Sequence, residues 1–224
     1  MKRTLVSLAI GATALAMLVA PAPATMLTFD FTHPAPPPYF MAVPQTYGDD
    51  ANNGSDPSYS IGAEGGTPNV DVAYLADDAE GGILSCTDPT WFPSYVANLS
   101  GTTGNWDFEF TPDAGYSVQI HSFDAVECDL GGYPINLSWQ VVDASGTVLN
   151  GGAAQGTVTS ETAAIDVNMG GYHTAGQKVV LRITSAASLY NGIDNIRFSQ
   201  IPEPATMVVV ALGSVGLVLG KRRR

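Results

Sequence analysis

The chain is predicted to be all-β, an antiparallel, jelly-roll-like β-sandwich, and three observations predict it. Apolar residues alternate with polar ones in short runs: Leu27, Phe29 and Phe31; Trp106, Phe108 and Phe110; Leu137, Trp139 and Val141; Val179, Leu181 and Ile183; Ile196 and Phe198. A period of two turns one face of each run into a core, which is strand behaviour. Gly, Pro, Asn and Asp bound the runs, and the spacing of roughly 8 to 12 residues is that of sandwiches rather than of parallel α/β sheets. No stretch between the two ends carries a long 3.6-residue period. The ends add an N-terminal signal helix and one C-terminal transmembrane helix.

Residues 1–24 read as the signal peptide. Met1-Lys2-Arg3 is a basic start, Leu5 to Ala20 is apolar, and Ala22-Pro23-Ala24 supplies small residues where signal peptidase cuts. Cleavage after Ala24 leaves a mature chain beginning at Thr25.

Residues 25–200 form one domain of about 175 residues, enough for a single well-buried core. Its first strand holds Leu27, Phe29 and Phe31. Residues 34–68 differ, because Pro34-Ala35-Pro36-Pro37-Pro38 is stiff and poor in donors and Tyr47 to Gly66 is rich in Gly, Asp, Asn and Ser. This is a long loop region or an irregular sandwich edge. Within it Asp50, Asn52 and Asp56 put oxygen side chains at alternate positions, in the manner of a calcium loop. Ala51 and Ile61 stand where an EF-hand needs ligands, so an acidic solvated loop is the competing reading.

Cys86 and Cys128 are the two cysteines of the chain. Outside the cytoplasm such a pair is expected to be a disulfide. Closing a loop of about 40 residues, it would stabilise the fold by about 3 to 4 kcal/mol on the chain-entropy model. Zinc and catalytic-thiol chemistry lack partners, since His33, His121 and His173 are scattered singly.

Trp91-Phe92-Pro93-Ser94-Tyr95, flanked by Pro89, is a loop whose Trp91 and Tyr95 could stack on sugar rings. Tyr133 and Tyr190 are weaker contacts of the same kind, and core packing explains such aromatics equally well. Trp106 and Trp139 sit in alternating strands and belong to the core. Turns are expected at Thr111-Pro112-Asp113-Ala114-Gly115, Asp143-Ala144-Ser145-Gly146 and Asn191-Gly192. The last strand, Tyr190 to Phe198, resembles the closing strand of carbohydrate-binding jelly rolls, where an Asp near the start helps to hold a structural Ca²⁺. The resemblance implies Asp194 as a ligand; a local turn of Asp194 and Asn195 is the alternative.

Residues 201–224 form a sorting tail. Ile201-Pro202-Glu203-Pro204 precedes an uncharged apolar run, Ala205 to Gly220, and Lys221, Arg222, Arg223 and Arg224 close the chain. Pro202 and Pro204 disfavour helix and hold Glu203 extended and accessible. The run at 205–220 spans about 24 Å as a helix, short of a hydrocarbon core of roughly 30 Å, so it must recruit its flanks or thin the bilayer. The basic run stays cytoplasmic, which places everything before Pro202 outside the inner membrane. Motif, apolar span and basic stop together resemble the PEP-CTERM sorting domain of exported bacterial proteins. The resemblance implies that Pro202, Glu203 and Pro204 are read by exosortase, an integral-membrane cysteine protease or transpeptidase that removes the tail.

All 21 acidic residues lie between Asp30 and Glu203, and six of the nine basic residues lie in the end segments. The domain therefore sets 20 carboxylates against Lys178, Arg182 and Arg197, a formal charge of −17. Such a body repels phosphate and excludes nucleic acid as a partner. It suits solubility or Ca²⁺ binding.

No Gly-x-Ser-x-Gly elbow, His-Glu-x-x-His pair or phosphate loop is present. The expected function is that of an exported, non-catalytic surface or matrix protein, sorted by exosortase and associated with extracellular polysaccharide. It would pass through an inner-membrane-anchored intermediate. A sandwich-fold polysaccharide hydrolase and a purely structural or adhesive protein are the alternatives.

Overall fold

The structure is a computed structural model, and it describes residues 24–29, 40–43, 45–52, 66–76, 84–86, 96–98, 104–127, 135–149, 155–160, 164–185 and 191–203. Among these, all regular structure is strand. The strands are β1 (Thr25–Leu27), β2 (Phe40–Ala42), β3 (Ala51–Asn52), β4 (Gly66–Thr67), β5 (Val70–Ala76), β6 (Leu84–Cys86) and β7 (Val96–Asn98), followed by β8 (Asn105–Pro112), β9 (Tyr116–Glu127), β10 (Ile135–Asp143), β11 (Gln155–Ser160), β12 (Ala164–Ala175), β13 (Val179–Ser185) and β14 (Asn191–Pro202). Every pairing is antiparallel.

Two sheets carry the fold. One runs β12-β9-β14-β7-β6-β2, with β1 added on β14; the other runs β11-β10-β13-β8-β5. Rings from opposite sheets meet between them: Phe110 of β8 lies 4.7 Å from Phe198 of β14, and Phe123 of β9 meets Trp139 of β10 edge-on at 6.0 Å. One apolar cluster draws on both sheets, so the architecture is a sandwich around a shared core. The alternating runs supply that core: Trp106, Phe108 and Phe110, then Leu137, Trp139 and Val141, then Val179, Leu181 and Ile183, are all buried.

Where the sequence alternation fails, the strands are bulged. In β9, Val118 and Ile120 face the core, and then Phe123 and Ala125 do, because the pairing with β14 shifts register beside Ser122. In β14 the shift falls between Asp194 and Arg197, at Asn195, whose φ is +50°. An extra residue moves the inward set by one position, so the period of two breaks while burial continues.

Three local expectations are refined. Asn191-Gly192 is the start of β14 and no turn: Asn191 is buried, its Oδ1 accepts from Asn136 N at 3.3 Å and its Nδ2 donates to Asn136 O at 3.4 Å. The side-chain amide bridges to the opposite sheet. Residues 34–68 contribute short strands as well as loop, β2 pairing with β6 and β3 with β4. The last strand also runs beyond Phe198 to Pro202. The turn at Asp143 to Gly146 is as expected. Gly146 adopts φ +81°, and Asp143 Oδ1 accepts from Ser145 N at 2.8 Å, Thr147 N at 3.0 Å and Ser145 Oγ at 2.6 Å. These bonds, the Ser145 hydroxyl first, hold the Asp143 carboxyl below its usual range.

The free edge of β5 is covered by residues 45–50. Gln45 Oε1 accepts from Tyr74 N at 3.1 Å and its Nε2 donates to Tyr74 O at 2.8 Å; Asp49 Oδ1 accepts from Val72 N at 2.6 Å, and Asp50 N donates to Val70 O at 3.0 Å. Side chains here stand in for a neighbouring strand, which blunts the edge against pairing with other chains. Burial raises the Asp49 carboxyl above its usual value, and the Val72 N–H opposes that shift.

Candidate functional site

Two segments that the sequence singles out meet at one end of the sandwich. β1 runs antiparallel to β14, with Thr25 opposite Phe198 and Leu27 opposite Ile196. The chain before Thr25 therefore points the same way as the chain after Phe198. Thr25 is buried, and its hydroxyl lies 2.7 Å from that of Thr67.

From Phe198 onward, β14 stays zipped to β9. Ser199 faces Gln119, Gln200 faces Val118, Ile201 faces Ser117 and Pro202 faces Tyr116. Glu203 N then donates to Gly115 O at 2.8 Å. Gly115 lies in the predicted turn at 111–115, where φ +89° requires glycine. Gly176, in the turn between β12 and β13, adopts φ +59° and donates its N–H to Tyr116 O at 3.2 Å. A methyl group on Gly176 would stand 2.9 Å from Glu203 Oε1, so the carboxylate occupies the space that this glycine leaves open. Gln200 is buried and its Oε1 accepts from Asn69 N at 3.0 Å and Asn69 Nδ2 at 3.2 Å. Pro202 and Glu203, expected in an accessible stretch, are thus part-buried and held against two turns. Pro204, the span and Lys221 to Arg224 lie outside the described residues, as does the signal segment before Ala24. Among the described residues no helix is long and apolar enough to cross a membrane.

Asp194 lies at the bulge. Its Oδ1 accepts from Phe29 N at 3.0 Å and from Asn195 N at 2.8 Å, tying the chain after β1 to β14. By register Asp124 stands between Asp194 and Asp166 on neighbouring strands, and Asn195 Nδ2 donates to Asp124 Oδ2 at 2.6 Å. That amide lies where like charges would otherwise face each other. Asp50 sits apart from this row, in the turn before β3, with φ +49°. The Asn52 side chain and Asp56 lie outside the described residues. No group of three His, Cys, Asp or Glu side chains able to hold a metal occurs among the described residues.

The outer face of the five-stranded sheet is a carpet of amides, hydroxyls and ion pairs. One cross-strand row holds Asn105, Thr184, Ser138 and Thr157; the next holds Leu75, Asp107, Arg182, Gln140 and Gln155. Thr184 Oγ1 donates to Asn105 Oδ1 at 2.8 Å. Arg182 grips Asp107 through Nε at 2.8 Å and Nη2 at 2.6 Å, and Lys178 Nζ meets Glu109 Oε1 at 2.6 Å. Asp107 and Glu109 project from one strand two positions apart, and a base occupies each. Leu75, 47% exposed, is the large apolar side chain left open among the described residues. Trp91, Tyr95 and Tyr133 lie outside the described residues.

On the other sheet, His121 Nε2 lies 2.9 Å from Ser199 Oγ, and burial lowers the imidazole below its ordinary value of 6.5. Arg197 Nη1 donates to Ser122 Oγ at 3.1 Å. Cys86 ends β6, which β7 and β14 separate from β9. At about 4.8 Å per strand that is about 14 Å, against the 7 Å limit between Cα atoms of a disulfide. Cys128 follows Glu127 and lies outside the described residues.

The comparisons with known proteins bear on both ends of this description. Residues 200–224 match the PEP-CTERM protein-sorting motif. No curated protein matches the chain. Among solved structures, a family 35 carbohydrate-binding module from Clostridium thermocellum is similar over 58% of this chain and 90% of its own, at 12% identity and a TM-score of 0.34. The CBM22-1 xylan-binding domain from Paenibacillus barcinonensis Xyn10C covers 59% of this chain and 82% of its own at 15% identity, TM-score 0.32. A family 11 carbohydrate-binding module from Clostridium thermocellum covers 82% and 99% at 12% identity, TM-score 0.31.

Proposed function

We propose that this is an exported, non-catalytic surface protein, sorted through its C-terminal motif by an exosortase and associated at its destination with extracellular polysaccharide. The match of residues 200–224 to the sorting motif carries the reading. It implies export and a surface or extracellular place. Pro202, Glu203 and Pro204 are the recognition residues, Ala205 to Gly220 the temporary anchor and Lys221 to Arg224 its cytoplasmic stop. Pairing of Cys86 with Cys128 belongs to the same reading, and the mass measurement that tests the sorting also decides it.

Polysaccharide association is supported by the outer face of the five-stranded sheet. Asn105, Ser138, Thr157 and Thr184 form a row of donors and acceptors with which a sugar chain can exchange hydrogen bonds.

Intact mass of the native protein from membrane and extracellular fractions, without reductant, tests the sorting. The expected released species begins at Thr25, lacks the basic tail and is two hydrogens lighter than the dithiol. A protein that keeps Lys221 to Arg224 in every fraction would sink it. Co-sedimentation of the released protein with the producing cells' own polysaccharide tests the second half. Recovery in the pellet that falls when Asn105 and Thr184 are changed to Ala supports binding by this face; recovery equal to that without polysaccharide leaves a purely structural role.

A further inference from the structure

Resting on that sorting reading, we propose that the recognition motif is latched: the folded domain withholds Ile201, Pro202 and Glu203 from the processing enzyme, and cleavage waits for these residues to peel off β9. Several observations converge on a short, separable strand end. Ile201 and Pro202 continue the ladder against Ser117 and Tyr116, Glu203 N donates to Gly115 O at 2.8 Å, and the Glu203 carboxylate fills the space beside Gly176. One edge of the motif is therefore spent on the sheet and one side of Glu203 on a turn. A peptidase takes an extended segment by pairing with its backbone edge and enclosing its side chains. It cannot do so from the free edge alone while β9 holds the other.

The latch is built to open locally. Pro202 and Tyr116 face each other between ladder bonds, and past Ile201 the pairing is continued by the bond from Glu203 N to Gly115 O at the tip of the strand, where local opening costs least. Immediately upstream the peeling meets a stop, because Gln200 is buried on Asn69 and Phe198 lies against Phe110 at 4.7 Å. Opening is thus confined to 201–203, while the sandwich stays closed. Strand ends open at far lower free energy than whole domains, and cleavage of an opened state follows its population. Processing then reports on this equilibrium.

The test follows loss of the tail by intact mass in the producing cell, using the full chain. Inserting eight Gly and Ser residues between Gln200 and Ile201 leaves the motif and span whole but frees them from β9; processing should quicken by about tenfold. In a second variant, Ser117→Cys with Ile201→Cys joins a directly facing pair whose Cα spacing suits a disulfide. It should be processed at least about tenfold more slowly, recovering on added reductant, whereas Ile201→Cys alone should not respond. Insertion without acceleration, or a cross-linked chain processed at the normal rate, overturns the latch while wild-type processing upholds the sorting. A wild-type chain that keeps its tail, with Glu203→Ala changing nothing, overturns the sorting and the latch with it.

Discussion

Tyr74 is buried, and its hydroxyl donates to Tyr47 O at 2.7 Å, while Tyr47 in turn donates to Thr28 O at 2.7 Å. Each phenol brings its apolar ring into the core and gives its one donor to a backbone carbonyl. Burial raises the Tyr74 hydroxyl well above its ordinary value, so it stays a donor at any physiological pH. His121 works in the opposite sense. Its folded value lies below 6.5, so the unfolded chain binds the proton more readily. Its contribution to stability is therefore complete above about 6.5 and is lost as pH falls through the lower folded value. His121→Gln keeps a donor for Ser199 and removes the titration. Thermal melts across pH 7 to 5 should show a shallower fall for the variant; parallel curves would place the acid sensitivity elsewhere.

At the scale of strands, legibility followed the pleat. Trp106, Phe108 and Phe110 lie in an unbroken ladder, and their alternation was visible in the sequence because nothing shifts the parity of β8. β9 is longer and its inward residues are just as apolar, yet its bulge splits them into two sets of opposite parity and hides the period. The same holds for β14 around Asn195. Asn191-Gly192 misled for another reason: the dipeptide common in turns here serves a buried bridge to Asn136, a partner 55 residues away that no local window contains. The hold on Glu203 was equally hidden, since it depends on Gly115 and Gly176 arriving from two separate turns. A methyl group on Gly156 would overlap atoms of the Trp139 indole, which already occupy that space. Gly156→Ala should destabilise the domain by about 1 to 3 kcal/mol, read by chemical denaturation. A change under about 0.5 kcal/mol would mean that the indole moves aside freely.

Across the whole molecule, the charge of the domain is one-sided, and two of its three bases, Lys178 and Arg182, are committed to ion pairs on one face. Repulsion among the remaining carboxylates acts over distances that salt shortens, from a Debye length of about 30 Å at 0.01 M to about 3 Å at 1 M. Added NaCl should accordingly raise the melting temperature of the released domain over that range, and a fall would show that local pairs outweigh the net charge. The antiparallel pairing of β1 with β14 has a mechanical consequence. Because Thr25 lies beside Phe198 in an antiparallel pair, a force that draws the start of β1 away from β14 at this end opens the two strands one hydrogen bond at a time, like a zip. A tether at Glu203 working against a grip on the opposite end of the domain instead loads the β14–β9 bonds side by side, since they lie across the direction of pull. The same strand thus yields readily at its tip and strongly along its length, so a surface anchor at this end would bear tension through the most extensively paired strand of the fold.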